Sequence, residues 1–229
     1  MENHLIRQKN DYIMPQGHLG ILKDKIYQGA IELAKKLESL FSSSGSILPL
    51  SLRHFVYGIF YKRMVRKEME VSCMSSEKKI LQIGCGSYPF TAITMASEGI
   101  PVDAVECDPK AYNSAKEIIK QKGLEDKINL ILSNGSNLDY SQYDIVHVSL
   151  HVHPKKDLLL QILHQLSDHG ALLYRNPHKA ITFAYTSVRP DDLAKDLSNY
   201  FIELVKGLPT CETIRMIQNE TILGGSQDA

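Results

Sequence analysis

Lys78-Lys79-Ile80-Leu81-Gln82-Ile83-Gly84-Cys85-Gly86, followed by Val105-Glu106-Cys107-Asp108, is the stretch whose reading decides the fold. An apolar run ends in a Gly-x-Gly turn, a helical pattern follows, and a second apolar run ends in an acid about 20 residues after the turn. That is the strand–turn–helix–strand grammar of a nucleotide-binding α/β unit. Glycines let the backbone approach a ligand closely, and the acid accepts hydrogen bonds from ribose hydroxyls. No third glycine follows: Gly86 leads into Ser87-Tyr88-Pro89-Phe90-Thr91. A pyrophosphate needs the bare helix N-terminus that a third glycine supplies, and here Tyr88 and Pro89 stand in that region. A ligand with adenosine and no phosphates fits better, and S-adenosylmethionine (SAM) is the expected one.

Working outward, the unit repeats. The pattern predicts strands at about 79–84, 101–106, 127–132, 143–150 and 171–175 and helices at about 88–98, 109–122 and 154–167. Asp108-Pro109 supplies a cap and a first turn for the second of those helices. A further helix is predicted over about 190–206, and Thr213–Ile217 with Glu220–Leu223 reads as a closing antiparallel pair. Upstream, residues 1–18 are polar and without period. A helix is predicted over about 19–41, and an aromatic one with Phe55, Tyr57, Phe60 and Tyr61 over about 49–70. The expectation is an α/β fold with a doubly wound, mainly parallel sheet, Rossmann-like in the class I methyltransferase manner, and an N-terminal helical appendage. Residues 1–72 form the arm and helical lid, and 73–229 the SAM-binding domain.

In such a sheet the ligand loops lie at the carboxyl edge of the strands. Gly84, Cys85, Gly86, Ser87 and Tyr88 are therefore expected beneath the methionine part of SAM. Glu106 is expected at the ribose, while Asp108 suits a helix cap. No acid occupies 133–136 after the third strand, so Asn134 or Ser136 serves the adenine. Ser149, at the end of the fourth strand, joins the binding set. His151 follows it and is a candidate general base, the alternative being a hydrogen-bonded edge residue. Tyr174-Arg175-Asn176 ends the fifth strand and is expected to face the same crevice. Tyr174 can lay its ring against the sulfonium, worth about 0.5–2 kcal/mol, or pack in the core. Arg175 can fork a carboxylate.

The chain has 26 Lys+Arg against 26 Asp+Glu in 229 residues. Nucleic-acid binders carry a basic excess, so none is expected as a partner. The basic cluster Arg53, Lys62, Arg63, Arg66 and Lys67 reads as a solvated helix face. The four cysteines form no CxxC pair and imply no disulfide framework. His151 and His153 have no companion at metal-ligand spacing, so no metal is expected. Without a signal-peptide pattern or a long apolar run, the expectation is a soluble cytoplasmic protein acting on a small molecule away from membranes. The oligomeric state is not legible.

Ile83-Gly84-Cys85-Gly86-Ser87-Tyr88-Pro89-Phe90-Thr91 resembles the Gly-x-Gly-Pro-Leu-Pro-Leu-Thr signature of nicotianamine synthases, with Ser87 at the first proline. Val105 to Pro109 is similar to that family's second motif, and Leu172 to Arg175 with Ala180 to Tyr185 to its fifth strand and following loop. The resemblance spans about 78–223. It implies attack by a nucleophile on Cγ of the aminocarboxypropyl chain of SAM, with methylthioadenosine as leaving group. Compact azetidine-2-carboxylate synthases of methyltransferase fold are similar in size and motif layout, which implies cyclisation of SAM by its own α-amine. Transfer to a small amine, ordinary small-molecule methylation and SAM binding without turnover are the alternatives.

Overall fold

The computed structural model describes residues 50–167, 169–177, 182, 186–194, 197–206 and 211–218, with side chains from Tyr61 onward except Leu197 and Lys206. Several expectations lie outside the described residues: the 1–18 arm, the 19–41 helix, the side chains of Phe55, Tyr57 and Phe60, most of 180–185, and the strand at 220–223.

The described chain runs α1 (Leu50–Val71), β1 (Ile80–Ile83), α2 (Phe90–Ser97), β2 (Val102–Glu106), α3 (Pro109–Gln121), β3 (Ile128–Leu132), a 3-10 turn (Gly135–Asn137), β4 (Ile145–Val148), α4 (Lys155–Gln165), β5 (Ala171–Pro177), α5 (Pro190–Leu193), β6 (Tyr200–Lys206) and β7 (Cys211–Gln218). The strands form one sheet in the order β3-β2-β1-β4-β5-β7-β6. β1 pairs in parallel with β2 and with β4, β2 with β3, and β4 with β5. β7 runs antiparallel to β5 and to β6. The order reverses between β1 and β4, so their connections diverge and open a crevice at the carboxyl edge.

β1 and β4 are buried along their whole lengths, as a parallel sheet covered on both faces requires. One face packs Leu81, Ile83, Val146, Val148, Leu172 and Tyr174 against Leu158, Leu159 and Ile162 of α4. The other packs Ile80, Val102, Ala104 and Leu173 against Val65 of α1, Met95 of α2 and Ile119 of α3. Each fully buried Leu, Ile or Val contributes about 1.5–3 kcal/mol. At the rim, Arg66 of α1 donates to Glu98 at 2.7 and 3.0 Å.

The C-terminal third corrects the reading. The helix expected over 190–206 is one turn, Pro190–Leu193, and its second half is strand β6. The strand that pairs with 213–217 on the side away from β5 is therefore 200–206, and the expected partner at 220–223 lies outside the described residues. Pro190-Asp191-Asp192 is a genuine helix start, with the Asp192 carboxylate accepting from the Arg189 N–H at 2.8 Å. Tyr200-Phe201-Ile202 and Leu204-Val205 are aromatic and β-branched residues that fit a pleated surface better than a helix.

Candidate active site

The β1–α2 turn stands where the glycines place it. Gly84 and Gly86 both have φ of 73°, a left-handed backbone open to glycine at little cost. The N–H groups of Gly84 and Cys85 both donate to the Val105 carbonyl, at 2.9 and 3.0 Å. A Cβ on Gly84 would lie 2.6 Å from Cγ2 of Val152, on the loop after β4. Gly84→Ala therefore meets both a backbone penalty of about 1–2 kcal/mol and a clash that pushes that loop away. Thermal unfolding and a calorimetric SAM titration should both show the loss; full affinity in the variant would detach this turn from the ligand.

Glu106 closes the turn from β2. Its Oε2 accepts from the Gly86 N–H at 2.8 Å, and its Oε1 from the N–H groups of Cys107 and Asp108 at 2.9 and 3.0 Å. A carboxylate offers about four acceptor positions, and three of those of Glu106 are taken by these backbone N–H groups. Asp108 caps α3, accepting from the Lys110 N–H at 2.9 Å, and leaves Glu106 as the acid of the turn.

The other binding candidates ring the same edge. Cys85 is buried, with Sγ 3.6 Å from the Gly86 carbonyl. Ser87 and Tyr88 are half-buried. Tyr88, Phe90 and Tyr61 form an aromatic row, with ring centroids 5.8 Å apart for the first pair and 4.8 Å for the second. Asn134 is exposed after β3, its side-chain oxygen accepting from the Ser136 N–H at 3.1 Å. The Ser149 N–H donates to the Ile83 carbonyl at 3.1 Å and its hydroxyl lies 3.5 Å from Gln82 Nε2. His151 and His153 are exposed on the loop after β4. Among the described residues no group of three or more His, Cys, Asp and Glu side chains is placed to hold a metal, and no helix is long and apolar enough to cross a membrane.

Tyr174, Arg175 and Asn176 do not face one way. Neighbours in a strand point to opposite sides of the sheet, which separates Arg175 from the other two. Tyr174 is buried in the cluster on the α4 side, beside Val188, Leu193 and Ile214, and its hydroxyl has no partner among the described residues. Burial raises its pKa. Asn176, also buried, accepts from the Val188 N–H at 3.0 Å and donates to the Ser187 hydroxyl at 3.2 Å, pinning the chain that returns after β5.

Arg175 points toward α1 and meets a residue the sequence reading passed over. Its guanidinium forks the carboxylate of Glu68, Nε to Oε1 at 2.9 Å and Nη2 to Oε2 at 2.7 Å. Nη1 donates to the hydroxyls of Tyr61 and, at 3.1 Å, Thr91. Thr213 donates to Glu68 at 2.5 Å, and His147 Nε2 lies 3.5 Å from it. Both charged groups are buried, Glu68 fully. Burial pushes the Glu68 carboxyl up, but Arg175 and then His147 outweigh it and hold the group well below the usual carboxylate range. Burial likewise holds the His147 imidazole below its ordinary value. A signal existed: Tyr61, Met64, Val65 and Glu68 share the i, i+3, i+4, i+7 stripe that α1 buries. A carboxylate on such a stripe implies a buried cation.

A family model for the nicotianamine synthase protein matches residues 26–218. The chain belongs to the nicotianamine synthase family. Among relatives, it is 26% identical over 116 residues to an L-histidine 2-aminobutanoyltransferase of Yersinia pestis, a match covering 50% of this chain and 43% of that protein. Among solved structures, it superposes on a glutamate-to-glutamine variant of MtNAS in complex with S-adenosylmethionine with a TM-score of 0.69 and 20% identity, covering 86% of this chain and 77% of that one. An RNA methyltransferase from Salinibacter ruber, in complex with S-adenosyl-L-homocysteine, gives a TM-score of 0.53 at 17% identity over 73% of this chain and 97% of that one. The nicotianamine synthase resemblance and the doubly wound sheet of methyltransferase type, both expected from the sequence, therefore hold.

Proposed function

We propose that this nicotianamine-synthase-family chain is a SAM-dependent enzyme that transfers the aminocarboxypropyl group to a small amine. The amine nitrogen attacks Cγ and forms a C–N bond. The C–S bond breaks, its electron pair stays on sulfur as the neutral thioether methylthioadenosine, and the new ammonium gives up a proton. The observation that carries this reading is the family match over 26–218, which includes the Gly84–Thr91 turn. The activity of the Yersinia pestis relative, an L-histidine 2-aminobutanoyltransferase, supports it over methylation.

The site residues fit such a cosubstrate. The positive-φ turn at 84–88 lets backbone approach the methionine part, the free acceptor position of Glu106 takes one ribose hydroxyl, and Asn134 and Ser149 flank the adenine and methionine ends. The Tyr61–Phe90–Tyr88 row supplies π faces and dry surface for a sulfonium. His151, exposed at the rim, is the candidate to take the proton from the attacking amine. Tyr174, Arg175 and Asn176 act from beneath the surface, where they hold the wall of the crevice in place. The same displacement carried out by SAM's own α-amine gives azetidine-2-carboxylate, and the fit of the turn to SAM is equally compatible with it.

Incubation with SAM, with and without candidate amines, followed by mass spectrometry separates the outcomes. Methylthioadenosine that forms only with an added amine, together with the aminocarboxypropyl adduct, is the expected result. Methylthioadenosine with azetidine-2-carboxylate from SAM alone would replace transfer by cyclisation. S-adenosylhomocysteine with a methylated acceptor would overturn both.

A further inference from the structure

The β4–β5 ladder ends at the pair Val148 and Tyr174. Beyond it the strands part, and the carbonyls of Leu150 and Arg175 lose the partners a longer ladder would give them. Lys155 enters that fork: its Nζ donates to the Leu150 carbonyl at 2.7 Å and to the Arg175 carbonyl at 2.9 Å. The side chain is only 1% exposed. We propose that Lys155 is a positioning residue for the reaction, bridging the parted ends of β4 and β5 and so seating the 149–154 loop on the glycine turn. This inference rests on the reading of that turn as the SAM site.

Stability alone does not explain a lysine here. It is the first residue of α4, where the helix dipole favours an anion. Burying an ammonium is costly, and no carboxylate is among its described partners; burial pulls its pKa down to about 7, with only Cys211 of β7 acting the other way. What the lysine does achieve is geometric. The loop it holds is anchored to β1 by the Ser149 N–H on the Ile83 carbonyl at 3.1 Å. Three residues after Ser149, Val152 lies against Gly84, so tightly that a Cβ there would come within 2.6 Å of it. One end of the loop is thus fixed to β1 and the other, through Lys155, to β5. Removing the ammonium frees the second anchor and takes the donor from the buried Arg175 carbonyl and the half-buried Leu150 carbonyl.

Lys155→Met keeps the apolar stem and removes every donor; Lys155→Gln restores an N–H pair on a shorter stem. For both variants and the wild type, SAM affinity is read by calorimetry, turnover by nucleoside release under saturating SAM, and fold by the thermal midpoint. The expected result for Lys155→Met is turnover down at least tenfold and SAM affinity down severalfold. Its midpoint should change little, because relief of the buried ammonium offsets the two carbonyls left without a donor, and Lys155→Gln should recover part of both losses. Wild-type turnover and affinity in Lys155→Met would overturn the proposal. So would failure of both variants to fold, which would assign Lys155 to stability. A wild type that binds SAM without consuming it would overturn the proposed reaction alone, leaving Lys155 to be judged on affinity.

Discussion

Arg175→Met should lower the unfolding free energy by about 3–5 kcal/mol, the cost of leaving a buried charge without its partner. The variant strands Glu68, which is fully buried and forked by Arg175 at 2.7 and 2.9 Å. Thr213 and His147 remain near the carboxylate, but neither supplies a full positive charge. The double variant Glu68→Leu with Arg175→Met should be more stable than Arg175→Met, since it removes the uncompensated charge. Denaturant titration of the four corners of this cycle measures the coupling. A double variant less stable than either single one would show that the pair is not what holds α1 to β5.

The same pair has a pH signature. In the wild type the Glu68 carboxyl is held below its ordinary range. The folded state then binds fewer protons than the unfolded one at acidic pH, so stability rises with pH through that window. This contribution is complete above the unfolded value, about 4.3 for glutamate, and is lost as pH falls toward the folded value. In Arg175→Met the largest opposing influence is gone, and burial is left to raise the Glu68 pKa. The gap between wild type and variant should therefore be widest near neutrality and shrink on acidification. A gap independent of pH would exclude Glu68 as its source.

What the sequence discloses and what it hides divide by range. Gly84, Gly86, Asp108 and Pro109 act on backbone within a few residues of themselves, and their conformations follow from local sterics and capping. The strands β1 to β5 are apolar runs between turns, and the structure shifts their ends by only a few residues. The 190–206 segment misleads because its first four residues carry true helix-start chemistry while the next strand depends on β7, which arrives later in the chain. The Glu68–Arg175 pair joins residues 107 positions apart, and no local pattern names a partner at that distance. The opposed directions of Tyr174 and Arg175 are legible, because strand alternation alone separates neighbours in a strand, so 174–176 is not a single motif facing one crevice.

Glu106→Ala should weaken SAM binding by about 1–3 kcal/mol, the penalty for leaving buried polar groups unpaired, or roughly 5- to 150-fold. The loss has two sources. In the proposed site the carboxylate is the acceptor for the ribose, and in the structure it collects the N–H groups of Gly86, Cys107 and Asp108. Glu106→Gln separates them. Its amide keeps one carbonyl acceptor and turns the other oxygen into a donor, which faces either the Gly86 N–H or Cys107 and Asp108 with the wrong polarity. If Glu106 chiefly shapes the turn, Gln should weaken binding of SAM and of adenosine-free methionine analogues alike. If it chiefly holds the ribose, the analogues should bind both variants as they bind the wild type, and only nucleoside-bearing ligands should lose affinity. Three of its acceptor positions already serve backbone, so the expected result is a loss with both ligand types, larger for SAM. Undiminished SAM affinity in Glu106→Ala would remove the end of β2 from the site and, with it, the adenosyl orientation on which the proposed attack at Cγ depends.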